Sequence, residues 1–312
     1  MGTASIGRGF IYAILAYFIW GLLPLYWKLL IAIDSRHILA FRILFSLVLV
    51  SIILLAKRDF AWAAIFRERK KRWIIILTAL LLCVNWGLYI WAVNSGHTLA
   101  TSLGYYITPL VSISLGLLFF REKLKPLQWA AVIMALAGVI MLTILSGELP
   151  WVSLVLALTF GFYGMLKKKI ALSALESLGA ETLASVPVGI FLLNLSFEGP
   201  YPSFSGFHGL AYLSALPAGT WILLFFCGAA TMLPLYWFAQ AAKLLPLSGI
   251  GFCQFLSPTM TFILGVFVFG ESFSTHQLAV FLIIWAAVIL YIISLRPGIK
   301  SPSVLPGENK IL

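Results

Sequence analysis

Long apolar runs separated by short polar clusters organise this chain. Ten runs stand out, at 10–30, 38–56, 74–93, 99–119, 127–145, 151–166, 182–197, 220–241, 247–269 and 277–295. Most approach the roughly 20 apolar residues that a helix needs to cross a bilayer. The pattern predicts an all-α integral membrane fold of ten transmembrane helices. The sixth and seventh runs are the shortest, and Pro187 interrupts the seventh.

Composition narrows this further. In 312 residues, 62% are hydrophobic and 10% charged, with mean hydropathy +1.05. That is too little polar surface to cover a soluble globule. The net charge of +11 does not gather on a face suited to nucleic acid, because the basic residues lie between apolar runs. With the N-terminus inside, cytoplasmic segments hold Arg8, the seven basic residues from Lys57 to Arg72, Arg121, Lys123, Lys125, Lys167, Lys168, Lys169, Lys243, Arg296, Lys300 and Lys310. These are eighteen of the twenty-one Lys and Arg residues; only Arg36 falls in an outside loop, and Lys28 and Arg42 sit at helix ends near the outer face. The bias fits ten spans with both termini cytoplasmic. The first run is expected to be retained rather than cleaved. The segment from Lys57 to Arg72 reads either as a solvated orientation signal or as a short amphipathic helix on the anionic leaflet. Cys83, Cys227 and Cys253 lie inside apolar stretches without paired spacing, so neither a disulfide framework, a metal site nor a cofactor motif is indicated.

The chain also resembles itself. A shift of 149 superposes Pro109 on Pro258, Gly116 on Gly265, Phe120 on Phe269, Glu122 on Glu271 and Gln128 on Gln277. A shift of 140 sets Gly21 on Gly161, Pro24 on Gly164 and Lys28 on Lys168. Two five-helix units follow, 1–147 and 148–296, with a cytoplasmic tail at 297–312 that is rich in Pro, Gly and Ser. Five is odd, so the second unit enters the membrane with opposite polarity, and the repeat is inverted. Inverted halves suit alternating access, with a substrate site near the midplane. The helix-break pointers to that site are Gly21, Pro24, Pro109, Gly161, Gly164 and Pro258. Glu122 and Glu271 close the fourth and ninth spans and read as helix-end anchors. Ser112 with Gly116, and Thr261 with Gly265, form small-xxx-small pairs that suit close helix packing.

Polar residues inside spans are costly and usually face the bundle interior or a wet cavity. Asn85 and Tyr89 share one face of the third span, beside Trp86, with Asn94 near its end; Tyr105 and Tyr106 precede Pro109; Gln240 and Gln254 lie in the eighth and ninth spans. Together they suit an amphipathic, partly aromatic solute, while the alternative is that the amides are interhelical glue and the aromatics interfacial belts. Arg42 and Glu181, equivalent under a 139 shift, and Lys28 are the gating or coupling candidates. Arg42 can attract an anionic group or pair with Asp34; Glu181 can carry a coupling proton; or both snorkel to nearby interfaces.

The stretch AVNSGHTLATSLGYYITPLVSISLGLLFFREKLKPLQWAAVIMALAGVIML resembles the signature of EamA-type proteins in the drug/metabolite transporter superfamily. LAYFIWGLLPLYWKLL, AFRILFS and NWGLYIWAVNSGHTLATSLGYYITPL are similar to the RarD subfamily. The resemblance covers nearly the whole chain and implies ten helices with cytoplasmic ends and export of a small metabolite or drug. The second-half signature is degraded, so roles do not carry across symmetrically. An enzyme reading lacks an HExxH pair, a GxSxG elbow or paired intramembrane aspartates; a channel lacks its polar stripe; a scaffold has no use for inverted halves.

Overall fold

The computed structural model describes residues 3–58, 62, 65–94, 98–146, 151–170, 172–196, 203–204, 216–268, 270 and 275–295. Its helices are α1 (Thr3–Lys28), α2 (Ser35–Ala56), α3 (Arg69–Asn94), α4 (Thr98–Phe120), α5 (Pro126–Ser146), α6 (Trp151–Lys169), α7 (Ala174–Leu193), α8 (Ala218–Leu244), α9 (Leu247–Gln254), α10 (Leu256–Phe267) and α11 (Thr275–Ser294). A 3₁₀ turn at Ile65–Arg67 precedes α3, and Leu195–Ser196 pairs antiparallel with Ser203–Phe204. Six described stretches are long and apolar enough to cross a membrane: Ser5–Lys28, Ser35–Ala56, Arg69–Ala92, Ala174–Leu193, Ala218–Leu244 and Leu247–Phe267. Tyr105–Phe120, Pro126–Met141 and Leu278–Ser294 are shorter and equally apolar in character. Outward-facing side chains include Phe267, Ile31, Leu118 and Ile144, each three-quarters exposed. Such an exterior suits a hydrocarbon solvent, where helices satisfy their backbone internally.

The ninth apolar run is not one helix. Phe255 breaks it into α9 and α10, one turn before the buried Pro258, whose missing N–H cannot bond the Gln254 carbonyl. By contrast Pro24 and Pro109 lie inside continuous helices. The seventh helix also differs from expectation, starting at Ala174 rather than near 182. Ser173 and Glu176 form a reciprocal capping box that fixes this start. Glu181 makes the first turns look too polar for a span, but it is sealed inside by a lysine of α6. The basic cluster after α2 divides: Arg69 to Arg72 open α3, and Lys71 pairs with Glu68 at the surface.

Packing follows a regular plan. α4 lies on α6 and α9, α1 on α8 and α10, α5 on α11, α2 on α7 and α8, and α3 on α6 and α7. Counting α9 and α10 as one, exchange of the first five helices with the last five maps these pairs onto one another. Gly21 of α1 shows why the residues matter: a methyl there meets Met260 Cβ of α10 at 2.5 Å. A methyl on Gly161 of α6 meets Val111 Cγ1 of α4 at 2.6 Å. The glycines are 140 apart and their partners 149 apart, the offsets read from the sequence. Gly21 and Gly161 are therefore points of close helix approach, not breaks. Gly164 likewise lies 3.2 Å, at its missing Cβ, from the Phe238 ring of α8.

A central apolar cluster of Ala13, Ala16, Tyr17, Tyr163, Phe238, Ala241, Leu247 and Ile250 joins α1, α6, α8 and α9. A second, around Tyr106, Ala131, Phe252, Ile284 and Tyr291, joins α4, α5, α9 and α11. Between α4 and α9 the Glu122 carboxylate accepts hydrogen bonds from the Leu247 and Ser248 amides (2.6 and 2.9 Å) and from Ser248 Oγ (2.7 Å). It neutralises the amide end of α9, the anchoring role expected of it. Glu271 lies outside the described residues.

Candidate substrate cavity

A cavity opens where α1, α2, α3, α4 and α6 meet the α9–α10 break. Its wall is Tyr17, Trp20, Leu23 and Trp27 from α1, Arg42 from α2, Asn85, Trp86 and Tyr89 from α3, Tyr105 and Thr108 from α4, Phe160 from α6, and Gln254, Ser257 and Thr261 at the break. With its opening counted, it encloses about 680 Å³ of empty volume.

Six sequence candidates meet here: Arg42, Asn85, Trp86, Tyr89, Tyr105 and Gln254. The 3.6-residue period sets Asn85 and Tyr89 on one face of α3, and Tyr89 meets Tyr105 with ring centroids 5.5 Å apart. Asn85 Nδ2 donates to the Leu156 carbonyl and to Thr159 Oγ1 of α6, each at 2.9 Å. Half of this amide is thus interhelical glue. Gln254 Oε1 is buried in the wall without a hydrogen-bond partner among the described residues, and the Tyr17 hydroxyl lies beside the same amide.

Arg42 is the charged member of the wall. It is 3% exposed, and its guanidinium lies 4.6 Å from the Trp27 ring and 4.5 Å from the Trp86 ring. Its Nε donates to Thr231 Oγ1 of α8 at 3.0 Å. The expected alternatives fail at this residue. It does not snorkel, and Asp34 is taken by Arg36, whose Nη2 lies 2.6 Å from the carboxylate, while Asp34 also caps α2. Two indole faces offset part of the desolvation cost at about 2 kcal/mol each, against several kcal/mol for a buried ion.

The other candidates are elsewhere. Tyr106 is buried in the α5–α11 cluster, and Gln240 donates to the Tyr236 hydroxyl at 3.0 Å on its own helix. Lys28 is exposed at the end of α1, and its counterpart Lys168 donates to the Leu245 carbonyl. The side chain of Asn94 lies outside the described residues. Glu181 does not face Arg42. It sits 2% exposed beneath α6, 2.8 Å from Lys167 Nζ through both oxygens, with Ser177 Oγ at 3.1 Å and the Tyr163 hydroxyl at 3.4 Å. Lys167, one of the basic residues assigned to a cytoplasmic segment, is buried with its partner.

Comparison with known proteins gives the chain its family. Residues 7–144 match the model of the EamA-like transporter family. A Streptomyces exfoliatus protein, RarD, is 41% identical over 90% of this chain and 87% of its own length. The chain belongs to the RarD group of EamA-like transporters. The transporter YojE of Bacillus subtilis is 42% identical to it over 94% of this chain and 96% of that protein. A solved crystal structure, 15% identical, superposes on the RarD-type chain with TM-score 0.67 over 91% of this chain and 97% of the other, a likeness of fold. Membership makes this a multi-pass membrane transporter rather than an enzyme, with a small-molecule substrate and a lipid bilayer as surroundings.

Proposed function

We propose that this chain is a secondary transporter that moves a small metabolite or drug-like solute by alternating access, with net export across a bacterial inner membrane. Both termini are cytoplasmic in this reading, and the moving parts are the inverted halves 1–147 and 148–296, with 297–312 as a tail. The carrying observation is a cavity walled from both halves, Arg42, Trp86 and Tyr105 from one and Phe160, Gln254 and Ser257 from the other. A wall of aromatic rings and amides suits a metabolite rather than a bare ion. The exchange symmetry of the helix pairs, with Gly21–Met260 matching Gly161–Val111, supports the inverted repeat.

Solute counterflow in proteoliposomes tests this reading. Preloaded solute accelerates uptake of its labelled copy through an alternating-access carrier; a channel or scaffold gives no counterflow. Asn85, Trp86, Tyr89, Tyr105 and Gln254 are the proposed contacts. The Lys167–Glu181 pair is the proposed coupling element, and an imposed proton gradient that drives uptake in the parent but not in Glu181→Gln supports it. Unchanged pH dependence in that variant removes it.

A further inference from the structure

We propose that the cavity selects flat aromatic solutes bearing a carboxylate, with Arg42 as the group that binds the anion. The inference rests on the transport reading above and names the substrate class for the same site. Its basis is a charge without a counter-charge: Arg42 is the charged residue among the described lining, and none of the described salt bridges includes it. The guanidinium carbon lies 4.6 Å from the Trp27 ring centroid and 4.5 Å from that of Trp86, so indole rings and not a carboxylate attend the charge. One of five N–H donors is spent on Thr231, and the Nη edge presents the paired donors that match a carboxylate in bidentate geometry.

The rest of the wall suits the other end of such a solute. Trp20, Leu23, Tyr89, Tyr105 and Phe160 supply aromatic and apolar surface. Gln254 Oε1 offers an acceptor for a ring N–H or hydroxyl. Against a cationic aromatic the same site works in reverse, because a second positive charge enters a low-dielectric space already holding one. An uncharged analogue gains the stacking and leaves Arg42 unpaired. The order of preference is therefore anion, neutral, cation.

The test uses purified full-length protein in detergent at pH 7.5 and three probes of one shape: indole-3-acetate, indole-3-acetamide and tryptamine. Affinities are read from ligand-dependent shifts in thermal unfolding. Acetate is expected to bind about tenfold or more tightly than acetamide, and tryptamine more weakly than either. In Arg42→Gln the acetate-to-acetamide ratio is expected to fall to near unity, and in Arg42→Lys to keep part of its value. Equal binding of acetate and acetamide by the parent overturns the proposal, as does an unchanged ratio in Arg42→Gln. An equal shift from sodium chloride or sulfate at the same concentration also overturns it, since it marks a site for small inorganic anions. The parent comparison stands by itself if the variants do not fold. Counterflow of acetamide without preference for acetate leaves the transport reading intact and removes only this inference; absence of counterflow for every solute removes the former.

Discussion

Arg42 and Glu181 occupy the same place in two helices and are treated in opposite ways. Each is the eighth residue of its helix, after an N-cap at Asp34 or Ser173, and both pairs of positions are 139 apart. The residue that meets each charge is also equivalent, Trp27 for Arg42 and Lys167 for Glu181, at the 140 offset that relates α1 to α6. In the second half the position is closed: two carboxylate oxygens share a lysine, a serine and a tyrosine. In the first half a cation lies near two indoles in the wall of the cavity. A buried charge that carries its counter-ion holds two helices together, whereas one attended by two indoles and a threonine hydroxyl keeps donors for a visitor.

The largest expected effect tests the closed position. Glu181→Leu strands the Lys167 ammonium and is expected to cost about 3–5 kcal/mol, read as a lowered Tm in detergent. Replacing both partners, Lys167→Met with Glu181→Leu, is expected to recover most of that loss. A single variant as stable as the double shows that the pair is not closed. Next comes Arg42→Gln, expected to keep stability within about 1 kcal/mol of the parent because it removes an uncompensated charge, while counterflow of an aromatic carboxylate falls by about tenfold or more. Loss of stability on the scale of Glu181→Leu erases the contrast between the halves. Glu122→Gln takes the carboxylate from the α9 amides and is expected to cost about 1–2 kcal/mol, seen in chemical unfolding. The smallest effect is electrostatic. The Arg36 hydrogen bond to Asp34 holds that carboxyl below its ordinary value. The stabilisation is present above the unfolded value of about 3.9 and is lost as pH falls through the lower folded one. Asp34→Asn keeps a cap but not the charge, so a deficit of about 0.5 kcal/mol at neutral pH, given partial exposure, is expected to vanish in strong acid.

Much of this was legible because membrane chains write their fold in plain periodicities. Apolar runs marked where the helices lie, and the 140 and 149 offsets read from the sequence also relate two close contacts, Gly21–Met260 and Gly161–Val111. Arg42, Asn85 and Gln254 stood out because polarity inside a span is expensive, and Trp86, Tyr89 and Tyr105 because they stand beside such a residue or just before Pro109. Tyr17, Trp20 and Phe160 did not, since an aromatic in an apolar run has the same pattern whether it faces lipid, core or cavity. Gln240 shows the converse: an amide can be satisfied by Tyr236 on its own helix and mark nothing. The burial of Lys167 was not legible, because it depends on Glu181, a residue in the following helix. The α9–α10 break also depended on tertiary context, as Pro24 and Pro109 leave their helices continuous.

Glu122 carries a consequence for how the chain is made. Its hydrogen-bond partner Leu247 lies 125 residues downstream. At 5–20 residues per second the ribosome needs roughly 6–25 s to reach it. During that interval the newly inserted α4 ends in a carboxylate whose protein donors have not been synthesised, so water or lipid headgroups must hold it. The clasp can close only after α9 emerges, which makes this joint between α4 and α9 a late event in biosynthesis.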